Sequence, residues 1–307
     1  MVKQENISIK NLTVAFRVGN NWLKAASNIT AAFEAEKYTA IIGESGCGKS
    51  VLGQAILGIL PDGAQRSGDV LSGGKPLDYQ TQRRLFGIIP QNPSDSLNPA
   101  RKIYKQFQDL LDLNNIQDEQ QLYKTQWLQF FGLDDTARVL QAYPHELSGG
   151  MLQRVLCAMA ISTKPKWLLA DEPTKGLDET NSAIALENLA KIKHELKTGM
   201  IIITHDIKLA RDVCDVVMIM YAGQIMERSS NFFTEPLHPY SKCFLQALPE
   251  NGLHPIPGKA PVPGTLQAGC RFADRCPYKQ KRCVQEQPRL YALKDGRQVR
   301  CFLYAGV

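Results

Sequence analysis

Gly43-Glu44-Ser45-Gly46-Cys47-Gly48-Lys49-Ser50 fits the pattern G-x-x-x-x-G-K-[ST], between the apolar run Tyr38–Ile42 and an apolar helical stretch, Ser50–Leu60, that halts at Pro61. Glycines at 43, 46 and 48 let backbone N–H groups curl around phosphate oxygens, and the following helix aims its positive end at them. By this motif Lys49 reaches the β- and γ-phosphates and Ser50 ligates Mg2+. A strand before and a helix after are the context that the motif requires.

Working outward, short apolar or alternating runs at Ile7–Phe16 and Ser27–Phe33 read as strands that flank the loop's own strand. Strand character recurs at Phe86–Ile89, Trp167–Ala170, Met200–Thr204 and Val216–Met220, with helical text between. Strands alternating with helices predict an α/β fold with a parallel sheet. The leading strands predict an antiparallel β flank, and residues from about 92 to 163 a helical insertion. Helical text ends near Leu248; Pro249, Pro255, Pro257, Pro261 and Pro263 then read as a linker. The expected division is therefore 1–247 and a small Cys-rich C-terminal extension, 248–307.

Two further segments carry chemistry. Trp167-Leu-Leu-Ala-Asp171-Glu172 is an apolar strand ending in two carboxylates. After a phosphate loop, Asp171 is placed to hold Mg2+ and Glu172 to polarise the water that attacks the γ-phosphate. Leu147-Ser148-Gly149-Gly150-Met151, followed by Gln153 and Arg154, opens a helix with a second anion-binding N-terminus. One nucleotide leaves no room for two such cradles in one subunit. A dimer resolves this, with each Ser148–Gly150 segment closing on the neighbour's ATP.

These motifs, in this order, closely resemble the ATP-binding cassette (ABC) family from about Ile7 to Leu248. The resemblance implies a P-loop NTPase fold and ATP with Mg2+ as ligands. Gly43, Glu44, Ser45, Gly46, Cys47, Gly48, Lys49 and Ser50 then form the ATP-binding loop. Glu172 becomes the catalytic carboxylate and Asp171 an Mg2+ residue. Gln91 matches the Q-loop glutamine that senses Mg2+ and faces the membrane partner, and His205 the switch histidine that contacts γ-phosphate. Ser148, Gly149, Gly150 and Asp178 act in trans at the dimer seam. Phe16 falls where the family stacks an aromatic ring on adenine, with Trp22 as the competing ring. The sequence departs from the family at Cys47, where Ser is common, at Val51, where a hydroxyl residue is usual, and at Lys175-Gly176 before Leu177-Asp178.

The tail resembles a narrower branch. His238-Pro-Tyr-Ser-Lys242, Ile256-Pro-Gly258 and Gly269-Cys-Arg-Phe-Ala-Asp-Arg-Cys-Pro277 look like the C-terminal extension of oligopeptide, dipeptide and nickel importer ATPases. In that branch four cysteines are associated with an iron–sulfur cluster, and Cys270, Cys276, Cys283 and Cys301 match in order. Four thiolates suit a [4Fe–4S] cluster, tetrahedral zinc, or, reduced and unligated, neither. Arg271, Arg275, Lys279, Lys281, Arg282 and Arg300 are expected to offset the cluster's negative charge.

The 307 residues are 44% hydrophobic and 21% charged, and no run approaches the roughly 20 apolar residues of a membrane span. The polar start, Met1–Lys10, does not read as a signal sequence. These features predict a protein kept in the cytosol whose membrane contact is peripheral, and the resemblance implies the cytoplasmic face of the cell membrane. Residues 248–307 hold ten Lys/Arg against four Asp/Glu, which is the whole net charge of +6. The resemblance implies two transmembrane permease subunits, a second related ATPase and, indirectly, an extracytoplasmic solute-binding protein, with no nucleic acid. The expected function is ATP hydrolysis that energises import of peptides or nickel and metal chelates. A soluble cassette acting on ribosomes or nucleic acid is the alternative, and such proteins usually carry two cassettes or a long coiled coil.

Overall fold

The computed structural model describes residues 5–261 and 268–306. The first four residues and Pro263, the last proline of the expected linker, lie outside the described residues. The chain forms two compact units, one made of the segments up to Tyr79 and from Ile203 onward, the other of Gln80–Ile202.

The first unit opens with β1 (Ile7–Val18) and β2 (Asn21–Phe33), an antiparallel pair. In β1 the buried residues Ile7 and Ile9 give way to Leu12 and Val14, a shift of one residue in the alternation. The ladder slips between Ile9 and Leu12, so a bulge keeps both pairs on the core face. Then come β3 (Tyr38–Ile42), buried at every residue, and α1 (Lys49–Leu57), closed by Gly58 in the left-handed region. β4 (Gln65–Ser72) and β5 (Lys75–Pro76) complete an antiparallel sheet of order β2-β1-β4-β5, the expected flank. β4 escapes sequence reading because Val70 is its one fully buried residue.

The second unit holds the short helix α2 (Tyr79–Leu85, whose first residue belongs to the first unit) and β6 (Phe86–Ile89). Four helices follow: α3 (Ile103–Leu113), α4 (Leu122–Phe130), α5 (Thr136–Gln141) and α6 (Gly149–Ser162). β7 (Trp167–Asp171), α7 (Glu179–Leu196) and β8 (Gly199–Ile203, whose last residue belongs to the first unit) end the unit, with β6 and β7 parallel and the order β8-β7-β6.

The chain then returns to the first unit as α8 (Ile207–Val213), β9 (Val216–Tyr221), β10 (Gln224–Ser229) and α9 (Pro239–Gln246). β9 runs parallel to β3, and β10 turns back on β9 through Ala222 and Gly223, both at positive φ, as a tight hairpin requires. Sequence reading places no strand at β10. Its buried residues include Gln224, Glu227 and Ser229, so the apolar signal of a buried strand is diluted. Glu227 is kept inside by accepting the backbone N–H groups of Leu237 and His238.

Beyond Leu248 come α10 (Lys281–Gln285), β11 (Tyr291–Ala292) and β12 (Gln298–Val299). β12 pairs with β10, and Phe272 joins Tyr221, Tyr240, Phe232 and Ile219 in one core. A fully buried aromatic contributes about 1.5–3 kcal/mol. The tail owns too few of them for a core of its own, so it adds strands and rings to the core of the first unit.

Candidate nucleotide site and cysteine cavity

In the first unit, β3 delivers the loop Gly43–Gly48 to the start of α1. Gly48 sits at φ 102°, and a Cβ there would lie 2.2 Å from the Ala25 carbonyl oxygen, so only glycine fits. Lys49 is buried, and its Nζ curls back to donate to the carbonyls of Gly43 (2.9 Å) and Glu44 (3.1 Å). The ammonium thus lies inside the ring of the loop, the place a triphosphate's charge requires. Burial raises the pKa of the Cys47 thiol, so this residue packs as a small neutral group. Gly223 N–H donates to the Cys47 carbonyl (2.8 Å) and its carbonyl accepts from Ser27 N–H (2.9 Å), locking the loop between β2 and the β9–β10 hairpin.

An open cleft of about 700 Å3 adjoins this loop, lined by Leu23–Ala25, Glu44–Cys47, Tyr221–Gly223, Ala260 and Pro261. Phe16 is half-buried and pairs across the strands with Leu23, which lines the cleft, though Phe16 itself is not part of the lining. Trp22 pairs with Arg17 one position away and takes the opposite face. His205 is exposed; the preceding residue, Thr204, donates its N–H to the Ile41 carbonyl at 3.1 Å, tying it to the strand that carries the phosphate loop. Asp206 then caps α8 by accepting from Leu209 N–H.

In the second unit, Ser148 caps α6 by accepting from Met151 N–H at 3.2 Å, with Gly149 and Gly150 as its first turn. Asp178 caps α7 by accepting from the backbone and side-chain N–H of Asn181, both at 2.8 Å. A Cβ on Gly150 would lie 2.0 Å from Asn181 Oδ1, so Asn181 joins the start of α6 to the Asp178 cap. Gln153 Nε2 donates to the Pro173 carbonyl, linking α6 to the turn after Glu172. Asp171 ends β7 and Glu172 follows it, both half-buried, and Glu172 adopts φ 48°, rare for a residue with a side chain. Gln91 follows β6, half-buried, ahead of a loop closed by Asn92 and Ser96 hydrogen bonds. Sequence reasoning missed Asn181 and the Gln153 link; the signal for the first was its place three residues after a capping Asp.

Cys270, Cys276, Cys283 and Cys301 are free thiols around one small cavity, with Pro239, Phe272 and Phe302 among its other walls. Burial first, then the neighbouring thiols, push Cys270 and Cys276 up to about 11. Among the described residues, no three His, Cys, Asp or Glu side chains are placed to hold one metal ion. The expected ligand set is thus gathered round a cavity without being drawn together, because protonated thiols pack as small apolar groups and have no cause to converge. Of the expected basic surround, Arg300 interacts electrostatically with Cys270 and Arg282 with Cys301, and several of the set also have partners of their own. Arg275 pairs with Glu44, Lys279 with Asp274, and Arg271 and Arg300 donate to backbone carbonyls of Ala222, Ile225 and Pro288.

Comparison with known proteins follows the same outline. The description "ABC transporter" matches residues 26–175, and "Oligopeptide/dipeptide transporter, C-terminal region" matches 226–283. The oligopeptide transport ATP-binding protein AppD of Bacillus subtilis is 35% identical over 97% of this chain and 96% of its own length. The chain belongs to the ABC transporter family. OppD, the oligopeptide transport ATP-binding protein of Haemophilus influenzae, is 35% identical over 97% of each chain. Among solved structures, cbiO1 of Clostridium perfringens, part of the ABC transporter complex cbiONQ, is 29% identical with a TM-score of 0.62, over 74% of this chain and 89% of that one. The dimeric bacterial cassette MJ0796 shares the fold at a TM-score of 0.62, over 73% of this chain and 97% of that one. This ABC protein is accordingly an ATPase whose hydrolysis is coupled to transport. No helix among its described residues is long and apolar enough to cross a membrane.

Proposed function

We propose that this ATPase powers an importer of peptides from the cytoplasmic face of a cell membrane, seated on two permease subunits beside a second, related ATPase. An extracytoplasmic binding protein would deliver the cargo. Full-length similarity to oligopeptide transport ATP-binding proteins and the C-terminal match at 226–283 support peptides over the nickel or metal-chelate cargoes of the same branch. One observation carries the catalytic reading. The chain holds two anion cradles, the Gly43–Ser50 loop with Lys49 inside it and the capped Ser148–Gly150 helix start, and one nucleotide fills only one of them.

In this reading residues 1–247 are the cassette and 248–307 its extension. ATP lies in the loop of Gly43 to Ser50 with Phe16 beside the base. Ser148, Gly149, Gly150 and Asp178 of the companion ATPase's equivalent face close the site, as this chain's own set closes the companion's. Ser50, Gln91 and Asp171 offer a hydroxyl, an amide and a carboxylate, the oxygen donors a hard cation takes, and would hold Mg2+ to neutralise the β- and γ-oxygens. Glu172 takes a proton from the attacking water, and His205 contacts the γ-phosphate. Closure on two ATP drives the permease; hydrolysis resets it.

The four cysteines suit a [4Fe–4S] cluster better than zinc. A single zinc ion needs all four sulfurs about 2.3 Å from one point, whereas a cluster takes one thiolate per iron and accepts wider spacing round a cavity. Cys270, Cys276, Cys283 and Cys301 would hold it, and its contribution is to cross-link the tail.

The test is uptake of a labelled oligopeptide into vesicles carrying the assembled importer. Glu172→Gln is expected to keep ATP binding and lower turnover and uptake by about 10²- to 10⁴-fold. Normal uptake by that variant would contradict the assignment.

A further inference from the structure

Glu44, the second residue of the phosphate loop, is gripped from the C-terminal extension. Both of its carboxylate oxygens accept from Arg275 Nη1, at 3.0 and 3.1 Å. Its backbone N–H donates to the Tyr240 hydroxyl at 3.1 Å. Arg275 is itself buried and fixed on every side. Its Nε donates to the Pro257 carbonyl (2.9 Å), its Nη1 to the Tyr221 hydroxyl (3.2 Å), and its guanidinium lies over the rings of Tyr221 and Phe272. Those rings contact each other and Tyr240 with centroids 4.6–5.3 Å apart, so the anchor is rigid. Ala260 and Pro261, also in the extension, line the same cleft as Glu44–Cys47. The extension therefore reaches the phosphate loop twice.

A carboxylate on this loop is an electrostatic problem. In the low effective dielectric of a protein, a negative group several ångströms from a triphosphate repels it strongly. It would also compete with the phosphates for Lys49. Pairing with a buried guanidinium removes the charge and fixes the side chain's direction.

We propose that Arg275 is a positioning residue for nucleotide binding. By neutralising and anchoring Glu44 it presents the loop's N–H groups and Lys49 to ATP, which makes the extension a working part of the nucleotide site. This rests on the reading that the Gly43–Ser50 loop binds ATP.

The test measures ATP affinity at this chain in the assembled importer for Arg275→Gln, Arg275→Lys, Glu44→Gln and the double variant R275Q/E44Q. Arg275→Gln keeps a donor for Pro257 but loses the charge, and is expected to weaken ATP binding by about 10-fold, with the loss in KM rather than in kcat. Arg275→Lys recovers part of it. R275Q/E44Q binds ATP several-fold more tightly than R275Q, because no stranded carboxylate remains. ATP affinity unchanged in R275Q, or a double variant as impaired as R275Q, would overturn the proposal; the second result would assign Arg275 to the fold of the tail alone. An unsubstituted complex that binds no ATP would instead overturn the reading of the loop.

Discussion

Glu172 carries the sharpest conflict between local comfort and chemistry. Its φ of 48° costs about 1–3 kcal/mol for a residue with a side chain, and the following turn, closed by Lys175 N–H to the Glu172 carbonyl at 3.1 Å, holds it there. Glycine adopts that region freely at an entropic cost of about 0.5–1 kcal/mol. Glu172→Gly is therefore expected to raise thermal stability by about 1 kcal/mol while abolishing ATP turnover; a destabilised variant would mean that the backbone stores no strain there. At this scale the sequence was informative wherever chemistry dictates residue type. Lys49, Ser50, Asp171 and Glu172 are legible because a phosphate loop and a strand-end carboxylate pair have few substitutes. Arg275 was not legible: its partner lies 231 residues away, and charge counting assigned it to the nearest cysteines.

Elements transmit these residues' positions. The starts of α6 and α7 meet at Gly150 and Asn181, where there is no room for a methyl group. Gly150→Ala must turn the Asn181 side chain aside and break its bond to Asp178 Oδ2. This loosens the side chain that links the two helix starts while the backbone cap stays. A misplacement of about 1 Å in a catalytic face costs about 10²-fold in rate. The expected outcome for Gly150→Ala is a loss of that order in phosphate release by the assembled importer, with ATP still held at this chain's own phosphate loop. Wild-type turnover would show that the two helix starts are independent. Helix and strand periodicity made most elements visible, including the flank β1–β2 and the strand β3. β4 and β10 stayed hidden because their buried positions are few or polar, and their pairing is decided by neighbours distant in sequence.

For the whole molecule, the tail is where composition and structure diverge most. Its prolines and cysteines read as a linker and a separate staple, yet β12 extends the strands of the first unit and Phe272 enters its core. Metal content tests the remaining staple. Anaerobically purified importer is expected to hold about four iron atoms per copy of this chain. Removing them should lower the melting temperature and expose the tail to protease; protein with neither iron nor zinc would leave the four thiols as packing groups. The account's central claim is that each nucleotide is held by two subunits, and photolabelling with azido-ATP in the assembled importer tests it most directly. With Ser148→Arg in this chain, label is predicted to stay on this chain, whose own phosphate loop is untouched, and to vanish from the companion ATPase. Label lost from this chain and kept on the companion would contradict the claim.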